Sequence, residues 1–583
     1  MSDGDMNILI LLLVGFGALG LGYRWYGRYL SRQFGQDDSR PTPAVVQTDD
    51  VDYVPTRPHI LFAHHFSTIA GAGPIVGPTI GILYGYVPVW LWVVLGAVFF
   101  GAVHDYAVLF ASLREKGKSI GEIAGTTMGR SGRLLFLLFT LVMIFLVTSA
   151  FLSMTAISLT SMWPLSHLSL DPGQTMLKTV TVDSQPMGII GGIASTSVII
   201  ITMMAPLLGF MIYRKGIKVI FGYIVAAAVC LVSIVVGFYH PVTLPPTVWM
   251  IIISFYVLLA AGLPVWIILQ PRDFINVQIL YGGMLLLVLS VVVGGLSGMT
   301  VSFPAFSFGA GVEHLGLVWP MLMITVACGA ISGFHSLVAS GTSSKQATRE
   351  SVARTVGYGG MILEGALALL VILTLGVGLS YGDYLKIVWG ESGSNPVLAF
   401  ALATGGIINR SLGIPIAIGA VAGILLIEGF VVTTLDSAVR LNRYLFEELW
   451  DLLYRRVPPI MKKKWFNSAL SAIIMFLLAY FNAFLLIWPL FGSANQLMAA
   501  LALISVSIWL YHHGRRSWYA LIPAVIMVVT TSTSLIMLLV QIYLPAGKIV
   551  LIVADLLLLG LSLGVVVLSL KAAWKQRLAS KAF

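Results

Sequence analysis

Charge is scarce in this sequence. Asp, Glu, Lys and Arg make up 10% of its 583 residues, against about 25% in soluble domains. Cysteine is nearly absent: Cys230 and Cys328 both sit in apolar runs, far from any CxxC or CxxCH spacing, so they read as small packing residues rather than a disulfide or cofactor framework. HExxH, a Walker loop and a Gly-rich nucleotide loop are also missing, which argues against an ATP-driven pump and a nucleotide enzyme. What is present is apolar: 58% hydrophobic residues and a mean hydropathy of +0.94 define a polytopic membrane protein. The formal charge of +10 does not imply nucleic acid, because the basic residues sit in short loops between apolar runs. The acidic start MSDGDMN runs straight into an apolar stretch without a cleavage motif, which reads as a retained first helix.

Apolar runs long enough to span a bilayer have cores at 6–29, 60–83, 88–113, 134–161, 188–212, 217–238, 247–269, 275–296, 318–340, 357–380, 414–440, 466–487, 493–511, 518–541 and 548–570, about fifteen spans. The piece 396–403 reads as a short re-entrant or surface helix. With the loop after the first span in the cytoplasm, only Lys178, Lys386, Arg410 and Lys548 of the 34 basic residues fall outside. The positive-inside rule then places the N-terminus outside and the C-terminus in the cytoplasm. The basic connection 440–465 reads as a topology determinant, with anionic-lipid binding as the alternative.

Within the second span, HHFSTIAGAGPIVGPTIG (64–81) cannot be a regular helix throughout. Pro74 and Pro78 lack N–H groups, so the carbonyls of Ala70 and Pro74 lose their partners, while Gly71, Gly73 and Gly77 loosen the backbone between them. Freed polar backbone survives at membrane depth only where it lines an enclosed cavity or holds a ligand, which marks a transport site. Five spans later YVLLAAGLPVWIILQPRDFIN (256–276) is interrupted by Gly262 and Pro264 and ended by Pro271, Arg272 and Asp273. An odd offset gives the two interruptions opposite polarity, as two inverted five-helix repeats would, with simple proline kinks as the alternative. The expected organisation is a leading helix and loop (1–59), repeats at 60–238 and 247–440, and a loop with four trailing helices (441–583).

HHFSTIAGAGPIVGP (64–78), LPVWIILQPRDFIN (263–276), GAISGFHSLVASGT (329–342) and WPLFGSANQ (488–496) together resemble the carbon starvation protein A family. The resemblance implies an inner-membrane secondary transporter of nutrients used under starvation, with peptides and pyruvate as proposed substrates. It also implies an all-α polytopic protein with the LeuT-like inverted five-helix repeat of the amino acid, polyamine and organocation transporter superfamily. In that superfamily the equivalent of the ninth span contributes to a cation site, which raises Ser343 and Ser344 as candidates.

An ionisable side chain at bilayer depth costs at least about 2.5–3.5 kcal/mol, so each one asks for a reason. His64 and His65 precede the first break, and adjacent helical positions point about 100° apart, so at most one faces a cavity squarely. They read as substrate-carboxylate donors or proton carriers, or else as structural imidazoles bonded to carbonyls. Ser67, Gly71, Gly73, Ile75, Val76, Gly77 and Pro264 complete the expected substrate site, whose carboxylate is held by free N–H groups of the half-helix beginning near Gly73. His335 shares a hydroxyl-rich face with Ser332 and Ser343, beside Ser336 and Ser340. Such a face suits substrate or Na⁺, or a small-residue packing seam. Asp105 with His104, and above all Glu428, are the proton-coupling candidates; Glu364 is a further polar residue and Asp555 reads as structural. Asp436 and Arg440, at i and i+4, read as a helix-end pair or gate facing Arg272 and Asp273. The expected partners are a small-molecule substrate, H⁺ or Na⁺, and the bilayer, with no cofactor and no metal. A haem- or metal-binding redox protein using His59, His64, His65, His104 and His335, or a channel, is the alternative.

Overall fold

Backbone in lipid must bond to itself, which leaves helices as the spanning element of this chain. The computed structural model describes residues 6–49, 53–168, 170, 174, 176–264, 266–390 and 394–581; for 213, 219, 430 and 575–581 it describes the backbone alone. Most of the acidic leader lies outside those residues. The first helix, α1 (Ile8–Phe34), is capped by Asn7, whose side chain accepts the Leu9 N–H at 2.8 Å.

The second expected span is two helices, α2 (Pro58–Ile69) and α3 (Gly73–Tyr84), bent by 45° across 70–72. Next come α4 (Tyr86–Arg114) and the 40-residue α5 (Ile120–Leu159). The latter starts fourteen residues before the expected core, because Ser119 and Glu122 form a reciprocal capping box, and it kinks at Gly129 (φ 77°). A three-stranded antiparallel sheet not foreseen in the sequence follows: β1 (Met162–Pro164), β2 (Thr179–Val182) and β3 (Gln185–Ile189), in the order β1-β3-β2. The chain continues through α6 (Gly191–Ile212), α7 (Ile220–Tyr239), α8 (Pro246–Gly262), α9 (Leu269–Leu296), α10 (Phe308–Leu315), α11 (Val318–Thr325) and α12 (Phe334–Gly341). Then come α13 (Arg354–Gly378), α14 (Tyr381–Trp389), α15 (Pro396–Leu412), α16 (Ile416–Leu453), α17 (Lys464–Phe481), α18 (Phe484–His512), α19 (Trp518–Tyr543) and α20 (Ile549–Trp574).

Among the described residues twelve helices are long and apolar enough to cross a membrane, or up to fourteen if each of two bent pairs is one span. Three of the fifteen expected spans are not among the twelve, the first being 60–83, which is the bent pair α2 and α3. The span read at 247–269 is the 17-residue helix α8, and the span read at 318–340 is not one helix: it stops at Thr325 and resumes at Phe334. The interruption read at 256–276 is likewise not a broken span. It is a connection between two separate helices, in which Pro264 is exposed, and Pro271 stands in the first turn of α9, where a missing N–H costs nothing.

Burial separates centre from rim. The apolar stretches of α18 and α13 are 94% and 89% buried, against 28% for α20, so the former pack inside and the latter faces lipid. Beside α13 and α18 lie the two broken segments. Their contact is intimate: a Cβ on Gly77 would come 2.9 Å from the Thr325 carbonyl, and one on Gly73 would collide with Cys328. Further along, the residues leading into α2 and those following α12 run side by side. Val54 and Thr56 donate their N–H groups to the carbonyls of Lys345 and Gln346 at 3.2 and 3.0 Å, and Thr56 pairs with Ala347 in a parallel bridge.

Candidate functional site

Four helices deliver titratable groups to one fully buried cluster. His335 is the second residue of α12, in its first turn just after the second break. Its Nδ1 lies 2.8 Å from Asp105 Oδ2 on α4 and its Nε2 lies 3.2 Å from Glu364 Oε2 on α13. The first contact is an aligned hydrogen bond; the second is an ion-pair distance without hydrogen-bond alignment, and the Glu364 oxygens have no other partner among the described residues. The second Asp105 oxygen takes a 2.7 Å bond from His104 Nδ1. On α2, His65 Nδ1 lies 2.7 Å from the Ser343 hydroxyl, while its Nε2 has no partner among the described residues. Gly360, one turn before Glu364, lets His65 lie against α13: a Cβ there would come within 3.2 Å of the His65 ring. Only a protonated imidazole donates from both nitrogens, so a histidine between two carboxylates can take up a proton and share it.

The sequence singled out both His64 and His65, and the structure separates them. His65 is buried in the cluster; His64 is half-buried, and its carbonyl accepts the hydroxyls of Ser67 and Thr68 at 3.0 and 2.8 Å. Ser343 joins His65. Ser340 and Ser344 instead bond within and around α12: Ser340 donates to the Ser336 carbonyl at 2.6 Å and caps α5 by accepting the Ile120 N–H at 3.0 Å, and Ser344 donates to the Ser340 carbonyl at 3.0 Å.

The backbone cradle expected at the first break takes a different form. The N–H groups of Ile75 and Val76 bond to the Ala72 carbonyl at 3.1 and 2.8 Å, closing the first turn of α3, so they are not free for a carboxylate. Pro78 lies inside α3, and the unwinding is confined to 70–72. Gly73 and Gly77 serve contact with the second break, while Gly71 faces the Thr434 hydroxyl of α16, 3.0 Å from where a Cβ would stand.

The second break is held from outside. Its flanking helices leave unpaired backbone groups at their ends, and α18 supplies the partners. Gln496 Nε2 donates to the Met323 carbonyl at 2.7 Å and Trp488 Nε1 to that of Thr325 at 3.4 Å. Asn495 accepts the Phe334 N–H on its side-chain oxygen at 2.9 Å and the Gly333 N–H on its backbone carbonyl at 3.0 Å, and its amide donates to the Ser332 hydroxyl at 3.1 Å. The stretch WPLFGSANQ is therefore a brace. In the sequence the stretch carries family resemblance but no assigned role, although Ser493, Asn495 and Gln496 in an apolar run are a visible signal.

Glu428 does not join the cluster. It stands on α16 and accepts a short hydrogen bond from the Ser158 hydroxyl of α5; its other oxygen has no partner among the described residues. Asp436 pairs with Arg272 and not with Arg440. Tyr256 of α8 completes that group, accepting from Arg272 and donating to Asp436, both at 2.7 Å. Arg440 donates instead to the carbonyls of Ala260 and Leu263. Asp273 lines a cavity of about 10 Å³ with Ser67, Asn276 and Thr433, room for a single water. On the face opposite the basic loops, a 700 Å³ cleft is bounded by Trp163, Lys386, Asn395 and Phe484.

A model of the family described as "Carbon starvation protein CstA" matches residues 7–389 and 386–534. The peptide transporter CstA of Bacillus subtilis is 31% identical, over 86% of this chain and 84% of the relative. The pyruvate/proton symporter BtsT of Escherichia coli is 29% identical, over 91% and 81%. Among solved structures, the manganese transporter of Eremococcus coleocola in complex with an aromatic bis-isothiourea substituted compound covers 90% of this chain and 99% of its own, at 11% identity and a TM-score of 0.43. With a family model matched along most of its length, this chain belongs to the carbon starvation protein CstA family and is a secondary transporter, not an enzyme.

Proposed function

We propose that this chain imports a small carboxylate-bearing nutrient, a short peptide or pyruvate, in symport with H⁺. It does so across the bacterial inner membrane, with its N-terminus outside and its C-terminus in the cytoplasm. The observation that carries proton coupling is the Asp105–His335–Glu364 chain, three titratable groups buried at the foot of a helix break. The names of the relatives, a peptide transporter and a pyruvate/proton symporter, support the substrate class and the ion.

The substrate site lies where the two breaks face each other, between 70–72 and 326–333, with His64, His65, Ser67 and Gly71 beside it. His65 and His335 ride on α2 and α12, next to the breaks, whereas the carboxylates ride on α4 and α13. A change in the number of bound protons thus alters how the broken helices sit against their neighbours, and a substrate that prefers one arrangement shifts the balance. Arg272 and Asp436 form the gate pair on the basic face. We read the two broken segments as the symmetry-related pair, so that the second inverted repeat begins at 318 rather than 247. Reciprocal packing supports this: α3 packs on α13 as α12 packs on α4, and α6 on α16 as α17 on α5. Na⁺ is the second reading, favoured by the Thr434 hydroxyl, which is buried beside Gly71 without a partner among the described residues.

The test is uptake of labelled pyruvate and of a dipeptide by proteoliposomes under an imposed pH or Na⁺ gradient. A pH gradient drives accumulation, and Glu364→Gln abolishes that accumulation while leaving counterflow intact. Full concentrative uptake by Glu364→Gln with unchanged pH dependence removes the cluster from coupling, and accumulation under the Na⁺ gradient alone selects the second reading.

A further inference from the structure

The last two helices leave a wedge in the membrane surface of the protein. α19 and α20 meet near the turn that joins them and diverge toward the basic face, where the end of α18 forms the floor. The resulting groove has a volume of 550 Å³ and walls such as Ile508, Val525, Val566 and Leu570. Its far end is polar, with Tyr511 and Ser517. Two flanking tryptophans, Trp518 (47% exposed) and Trp574 (70% exposed), set the level of that polar end, because exposed tryptophan gathers at the headgroup layer.

The charged residues next in sequence to the groove's polar-end lining, Arg516 and Lys571, are both basic. Arg516 adjoins Ser517 and Lys571 adjoins Leu570; both are exposed, and neither forms an ion pair among the described residues. Arg515 packs its guanidinium against the turn at Gly35. Glu115 is the acidic group nearby, and it is taken by Lys118 at 3.2 Å and Trp509 at 2.9 Å.

We propose that this groove is a binding site for one anionic phospholipid, its acyl chain between α19 and α20 and its phosphate at Arg516 and Lys571. Apolar walls alone would take any lipid chain. The unpaired cations at headgroup depth are what make the site selective, since a basic pocket between helices on the basic side holds anionic headgroups. A second copy of the chain would bury the same walls but would bring its own cations against these, which disfavours it as the occupant.

Native mass spectrometry of the full-length protein, delipidated in detergent and titrated with phosphatidylglycerol or phosphatidylcholine of matched chains, tests the site. One phosphatidylglycerol is expected to be retained in preference to phosphatidylcholine. The Arg516→Gln/Lys571→Gln double variant loses the preference by about thirtyfold, the effect of two surface charges, and Val525→Trp, which fills the groove at a half-exposed position, loses the bound lipid itself. Equal retention of both lipids, a preference that survives both variants, or a dimer that forms as lipid is removed would each overturn the proposal.

Discussion

A side chain at position 73 has nowhere to go. The space beside Gly73 holds the side chain of Cys328, and an added Cβ would overlap both its Cβ and Sγ. The glycine is there for contact between the two breaks at least as much as for backbone freedom, and the two roles predict different genetics. Gly73→Ala is expected to destabilise the protein by about 1–3 kcal/mol through overpacking. Cys328→Gly in the same chain then restores most of the loss, because the pair shares one volume and the two changes do not add. Thermal unfolding in detergent of the two single variants and the double measures this, and strictly additive effects would show that Gly73 matters for backbone conformation alone. The carboxylate cradle expected from the sequence is not formed as foreseen for a separate reason: sequence can count the glycines and prolines of 71–78, but not that the Ala72 carbonyl engages the donors of Ile75 and Val76.

The two breaks were not equally legible, and the difference is physical. In the first, Gly71, Gly73, Gly77, Pro74 and Pro78 crowd into eight residues, and local chemistry alone forbids a continuous helix. In the second, VACGAISG (326–333) contains no proline and is apolar enough to continue a span, and the groups that bond its ends lie on α18, more than 150 residues away. Hydropathy marked nearly every helix, but it could not distinguish α8 with its short connection to α9 from one interrupted span, nor find the small sheet at 162–189. Candidate residues follow the same division. Asp105, His65, His335 and Ser343 were recognisable as polar groups at membrane depth, whereas the pairing of Glu364 with His335, and the isolation of Glu428 from both, depend on which helices touch. If the brace is what holds the second break, Asn495→Leu, which strands the Phe334 N–H, costs about 1–3 kcal/mol and raises hydrogen exchange in 326–337, while Asn495→Asp, which keeps the acceptor, costs less. Exchange rates unchanged in Asn495→Leu would mean that the break is intrinsic to its own residues.

The buried Arg272–Asp436–Tyr256 group joins three helices, α9, α16 and α8. Removing one partner strands a charge, so Arg272→Met alone should cost about 3–5 kcal/mol, whereas Arg272→Met with Asp436→Leu should recover most of it. Unfolding temperatures compare the two. A double variant that is stable but leaks substrate would identify the pair as a gate, and one that is stable and transports normally would make it a structural clamp. A broader consequence follows from the short parallel pairing of residues 54–56 with 345–347. It ties the lead-in of α2 to the run-out of α12, the two half-helices that end on the basic face. They behave as two oars lashed at the blades: neither can be pulled aside without carrying the other or parting the lashing. Displacing one half-helix alone would therefore first have to break these bonds, each worth about 0.5–1.5 kcal/mol, so the pairing couples the two halves on that face.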